Sequence, residues 1–258
     1  MRAIGRAVVV LGRTVAEAIT IGHATCLVCP DRPAVRAANF AAEIKVASPA
    51  DAELTLGQVQ QHFARRGLIC WALYAADGPS TRWIADVAVR DGYQATSRCV
   101  LRLERFAPEP TDLRLQIIPA RAAYRELRSL LTRWVGQAYD AGDRLVTDLT
   151  ETFIDQLDEP RLDMFLGRVD RQPVVVAGVL SLGQVGVIQY AQGLLQEVGP
   201  KIATVLMSHL LEHCQRAQFE QVIVDLAAGS SQIRFFESLG FKVAGSYVRL
   251  DREAAAPP

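Results

Sequence analysis

Gly229-Ser-Ser-Gln-Ile-Arg-Phe-Phe-Glu-Ser-Leu-Gly-Phe241 is the segment from which the architecture follows. A short apolar run, Val222-Ile-Val-Asp-Leu226, comes before it, and an alternating run, Phe241 to Leu250, comes after it. The glycine and two serines open a turn, Ile233 to Leu239 fits a short helix, and Gly240 supplies the left-handed residue that ends it. Strand, turn, helix and strand in close succession make a β-α-β unit, and such units are stable only as part of a layered fold.

Upstream, the pattern stays legible. Leu113-Arg-Leu-Gln-Ile-Ile-Pro119 alternates apolar and polar residues as a half-buried strand does. Ala120 to Ala138 places Tyr124, Leu127, Leu130, Leu131, Trp134 and Val135 on one helical face. A second helix is expected from Arg144 to Leu157, stopped by Pro160, followed by strands at Leu162–Val169, Pro173–Leu182 and Val185–Gln192. Ile202 to Ala217 is helical again, with Ile202, Val205, Leu206, His209, Leu210 and His213 recurring at three and four. The order β-α-α-β-β-β-α-β-α-β predicts an α/β (α+β) layer with a mixed sheet.

Two prolines in Phe106-Ala-Pro-Glu-Pro-Thr111 exclude a helix or central strand there and read as a linker. The expected division is therefore 1–108, 109–252 and a disordered tail, 253–258. The first part repeats landmarks of the second. Ala75-Ala76-Asp77-Gly78 corresponds to Ala227-Ala228-Gly229, and Asp91-Gly92-Tyr93 to Leu239-Gly240-Phe241. Val100–Arg105 corresponds to Tyr247–Arg252, and His62 and His213 lie on the matching helices. Ordered landmarks at similar spacing predict a duplication, with a shortened front in the first copy that leaves room for about three strands and three helices.

Lys+Arg and Asp+Glu both number 28 in 258 residues, which excludes the basic footprint of a dedicated nucleic-acid binder. Five scattered cysteines do not make a disulfide framework and fit a reducing cytoplasm. The apolar run Ala7–Gly12, bracketed by Arg6 and Arg13, is too short for a signal peptide or a membrane span, so a cytoplasmic chain without a membrane partner is expected. Trp71, Trp83, Trp134, Tyr74 and Tyr93 read as packing residues, and Arg65-Arg66 as a solvated helix end.

Chemistry concentrates where the strand Val185–Gln192 runs into Gly193-Leu-Leu-Gln-Glu-Val-Gly-Pro-Lys201 and a long helix follows. Free N–H groups at a helix start attract phosphate, and Gly199 permits close approach of the backbone. Lys201 adds charge and Thr204 a hydroxyl; an ordinary Gly-Pro strand-to-helix turn is the alternative. Two metal patterns also occur. His209-Leu-Leu-Glu212-His213 puts two imidazoles and a carboxylate on a helix, as a zinc hydrolase would require, and needs a third ligand, for which Glu220, Asp225 and Glu237 are the few candidates downstream; partly buried histidines on the apolar stripe are the alternative. His23-Ala-Thr-Cys26-Leu-Val-Cys29 lacks a second cysteine pair and reads as two apolar cysteines near a helix end.

From Leu113 to Arg252 the chain resembles the GNAT superfamily of acyl-CoA-dependent N-acyltransferases. The family's phosphate-binding motif, Arg/Gln-x-x-Gly-x-Gly/Ala, falls on Val198-Gly-Pro-Lys-Ile-Ala203, and its closing signature on Gly229–Phe241, where Phe235, Phe236, Gly240 and Phe241 keep spacing and type. The resemblance implies a complete C-terminal module after a degenerate, partial N-terminal one. It implies acetyl-CoA as acyl donor, with no metal, held by Gly199, Lys201, Ile202, Ala203 and Thr204. Gly193, Leu194 and Leu195 would line the pantetheine arm, and an N–H there would stabilise the oxyanion. Phe236 stands where the family often has a Tyr that protonates the departing thiolate. The position of the usual base offers only Gln189, Tyr190 and Gln192, so Gln189 and Tyr190 are the candidate catalytic residues. The implied reaction is acetyl transfer to a primary amine of a small molecule or peptide by direct attack. A catalytically silent CoA-binding or interaction module is the alternative.

Overall fold

The acid-free N-terminal stretch forms helix α1 (Arg2–Gly12) because its apolar residues share a face: Ile4, Ala7 and Leu11 are buried while Arg6 is exposed. The computed structural model describes residues 2–106, 115–138, 142–190 and 199–252. The expected linker prolines and the tail 253–258 lie outside these residues. The chain divides into two units, Met1–Cys99 with Gly245–Pro258, and Val100–Ala244. This division falls at 99/100, ahead of the 108/109 that the linker prolines lead one to expect, and groups residues 245–252 with the first unit. Among the described residues no helix is long and apolar enough to cross a membrane.

In the first unit, β1 (Glu17–Ile21), β2 (Ala24–Val28) and β3 (Phe40–Ile44) form an antiparallel run. Helix α2 (Pro49–Ala64) then leads to β4 (Ala72–Ala75), which lies parallel to β3. Helix α3 (Gly78–Arg90) leads to β5 (Tyr93–Leu103), whose first residues, 93–99, belong here. The end of the last strand, β11 (Phe241–Arg252), pairs antiparallel with β4, setting Leu250 opposite Leu73. Ile44, Leu56, Phe63, Leu73, Ile84 and Leu250 are fully buried in one core.

The described residues before the linker hold five strands and three α-helices, two strands more than the sequence predicts. The hairpin β1-β2 escapes the pattern because β1 is short and only Ile19 and Ile21 alternate inward, too few residues for a strand signal. Cys26 sits within β2, not near a helix end. Burial pushes the thiols of Cys26 and Cys70 up to about 12.

In the second unit, β6 (Gln116–Pro119), β7 (Leu162–Val169), β8 (Gln172–Leu182) and β9 (Val185–Tyr190) pair antiparallel in turn. Helices α4 (Tyr124–Ala138) and α5 (Asp143–Asp155) lie between β6 and β7 in sequence. Their apolar faces (Leu127, Leu130, Leu131, Trp134, Val146 and Ile154) bury against Leu166 and Val176. Helix α6 (Pro200–Arg216) packs on β8 and leads to β10 (Gln221–Ala227), which runs parallel to β9. Helix α7 (Gln232–Ser238) ends at Gly240, whose φ of +92° is reserved for glycine. A Cβ at Gly240 would lie 1.8 Å from the carbonyl oxygen of Arg105, so no other residue fits. That contact explains the glycine of the closing signature.

Candidate functional site

The site begins where two parallel strands part. β9 and β10 pair at only three described positions, Gln221 with Val185, Val222 with Gly186 and Ile223 with Val187. Beyond them β9 continues through Ile188, Gln189 and Tyr190 and remains paired with β8, setting Ile188 opposite Val179, Gln189 opposite Gly178 and Tyr190 opposite Ala177. β10 likewise continues to Ala227. One edge of residues 188–190 therefore has no β10 partner among the described residues, and in a strand alternate backbone groups point to such an edge.

Helix α6 starts beyond the same end of β9. Gly199 is its N-cap with φ 80° and ψ 160°, a conformation open essentially to glycine alone, and a Cβ there would meet nothing within 4 Å. Among the described residues no side chain caps this end, and the first turn contains no acid to offset the helix dipole. Pro200 occupies the first helical position and has no N–H. The first intrahelical bond runs from Ala203 N to Gly199 O at 3.2 Å. Lys201 and Ile202 thus bring the first-turn N–H groups, and Lys201 is exposed beside them.

The start of α2 is the opposite case. Ser48 caps it by accepting from Asp51 N at 3.1 Å, and Asp51 Oδ2 accepts from Ala47 N at 2.8 Å. Those two side chains satisfy the helix end internally and place an acid in its first turn.

The structure places the expected site residues unevenly. Gly199, Lys201 and Ile202 stand together at the open end of α6, with half-buried Thr204 one turn on. Ala203 is buried and its amide is taken by Gly199, which removes it from any cradle of free N–H groups. Phe236 is fully buried, edge-on to Phe235 at 5.4 Å and to Phe241 at 5.3 Å, and packs the core with no surface for a ligand. Gln189 is half-buried on β9. Gly193, Leu194, Leu195 and Gln192 lie outside the described residues, as do Val198 and the side chain of Tyr190.

The two histidines of α6 turn to β7. Both rings stand edge-on to Phe165, at 5.0 Å for His209 and 5.2 Å for His213. His213 Nε2 lies 3.0 Å from Asp163 Oδ2. Burial, then the charge of Arg216, lowers the His209 pKa. Among the described residues no three His, Cys, Asp or Glu side chains gather as a metal site would need.

No family model matches the sequence, and no curated protein matches it. Solved structures do. A GCN5-related N-acetyltransferase from Kribbella flavida superposes with a TM-score of 0.63 at 15% identity, covering 98% of this chain and 96% of that one. A functionally unknown conserved protein from Staphylococcus epidermidis gives 0.65 at 12% identity, covering 93% and 95%. The chain has the GNAT fold, a mixed α/β architecture.

Proposed function

We propose that the second unit binds an acyl-CoA, most simply acetyl-CoA, and transfers the acyl group to a primary amine. The parting of β9 from β10 beside an uncapped, glycine-led helix start carries this reading. A slot between strands accepts an extended arm by backbone pairing, and amides at a helix dipole's positive end accept a pyrophosphate. The GNAT fold supports it, because that fold places the two features together.

In the proposed reaction the Lys201 and Ile202 amides and the Lys201 ammonium hold the phosphates, and Gly199 keeps the backbone close to them. The free edge of residues 188–190 aligns the arm. The amine nitrogen attacks the thioester carbonyl, the C–N bond forms, the C–S bond breaks, and the thiolate leaves as the nitrogen loses a proton to water. Gln189 cannot ionise, so positioning carries the catalysis and an already neutral amine is the reactant. The shared order of the units supports duplication: three antiparallel strands, a helix, a parallel strand, a helix closed by Gly-aromatic, and a last strand. In that duplication the first copy has replaced its open helix end with the Ser48–Asp51 cap.

Isothermal titration of the full chain with acetyl-CoA and with CoA tests the reading. Saturable binding of both is expected, weakened about two- to fivefold in Lys201→Met, the range of one exposed charge pair. No heat from either ligand would end it. Thiol release across a panel of primary amines then separates enzyme from silent module, a reading that the buried Phe236 favours: binding without release assigns the silent one.

A further inference from the structure

A half-open cleft of about 480 Å³ lies at the surface of the first unit, of the size that small ligands occupy. It lies beside α1, at the carboxyl ends of the parallel strands β3 and β4, where open α/β sheets receive ligands. Its charged lining has both signs: Arg6 and Lys45 on one hand, Glu43 and Asp77 on the other. Among the described residues, Arg6 and Lys45 make no ion pair, so the two cations are not neutralised by the wall itself.

Three local features hold this cleft open and charged. Glu43 has φ +54°, a left-handed conformation that disfavours any residue with a side chain. It sits in a bulge where β3 uses one residue more than β4, since Ala41 faces Leu73 but Ile44 faces Ala75. Bulges of this kind re-aim a side chain, and here the re-aimed carboxylate joins the lining. Asp77 is fixed by accepting from Ser80 N at 2.9 Å. Gly5 lies within helix α1, where glycine is about 1 kcal/mol worse than alanine, yet a Cβ there would meet nothing within 4 Å. Glycine is therefore not relieving a clash; its absent side chain leaves the wall of the cleft clear.

We propose that this cleft is a second ligand site, taking a free α-amino acid as its zwitterion. The ammonium sits with Glu43 and Asp77, and the carboxylate with Arg6 and Lys45. Phosphate ligands suit it less, because the helix start that lines it, that of α3, is already closed by the Asp77 carboxylate, which caps it and would repel a further anion. The site is independent of the acyl-CoA reading and uses no residue of the second unit.

The test is titration of the full chain with each of the twenty α-amino acids. At least one is expected to bind saturably, and its N-acetyl and carboxamide derivatives, each lacking one charge, at least tenfold more weakly. Gly5→Leu, which fills the cleft from a helix-favouring residue, should reduce binding at least tenfold, and Lys45→Met about two- to fivefold. Acetyl-CoA titrations of both variants should match the unaltered chain, so the two sites fail or stand separately. If no amino acid binds, or if either Lys45→Met or a folded Gly5→Leu binds as the original does, the proposal is overturned. Lys45 is exposed, so its variant keeps the test sound even where Gly5→Leu fails to fold.

Discussion

Gly199 combines φ 80° with ψ 160°, and a side chain at that position carries a strain of roughly 1–3 kcal/mol. The space around it is open, so Gly199→Ala raises a conformational penalty and not a clash. Urea denaturation should show a loss within that range, and titration should show weaker acetyl-CoA binding; unchanged values for both would mean that the α6 start is not held as observed. His209 makes a second prediction. Burial lowers its pKa below the ordinary 6.5, so the unfolded chain takes up a proton at a pH where the folded chain does not. Stability therefore falls as pH drops below 6.5 and levels off once the folded histidine also titrates. His62, lowered chiefly by burial too, contributes with the same sign. Denaturation between pH 7.5 and 5 should give a shallower decline in His209→Gln; identical slopes would assign the acid sensitivity elsewhere.

At the level of elements, what the sequence reveals depends on whether the deciding force is local. Helix α7 and its glycine are readable because period, turn residues and a positive φ are properties of a few consecutive residues. Helix α6 is readable as well, but its start is not: apolar spacing begins at Ile202, whereas Pro200 already occupies the first helical position. Those two residues move Ala203 from the open first turn into the hydrogen-bonded helix, and so change the site. The hairpin β1-β2 leaves only the short Ile19/Ile21 alternation, and the cleft beside α1 leaves no periodic trace; Gly5 inside an amphipathic helix is a local sign of the latter. The parting of β9 from β10 is a matter of register between distant segments, invisible in either strand alone. It carries its own prediction. Hydrogen exchange should find at least one amide among Ile188–Tyr190 poorly protected in the free chain and slowed on adding acetyl-CoA. The start of α2, capped by its own side chains, should not respond. Equal protection of 188–190 with and without ligand would remove the slot from the proposed mechanism.

For the molecule as a whole, the consequential feature is that the first unit is discontinuous in sequence. Its core is completed by residues 245–252, which the linker-based division assigns to the other module. Leu250 is 1% exposed and lies in the same cluster as Leu73, Phe63 and Tyr93. Arg252 donates its backbone N–H to Trp71 O at 2.8 Å, donates from its guanidinium to Asp91 O at 2.9 Å, and lies over the Tyr93 ring. Arg249 and Asp251 pair at 2.8 Å in a largely buried setting. A fragment 1–108 keeps its helices and β1–β4 but leaves the β4 edge and the Leu250 slot empty, exposing apolar surface and unpaired strand groups together. Expressed alone, it should bind a hydrophobic dye and melt without a cooperative transition. Within the full chain, Leu250→Ala should lower the stability of the first unit by about 2–5 kcal/mol, the range for a buried leucine. Calorimetry reads both effects. A cooperative transition in fragment 1–108, or a Leu250→Ala loss under about 0.5 kcal/mol, the scale of an ordinary surface substitution, would show that the last strand is an accessory to this unit and not part of its core.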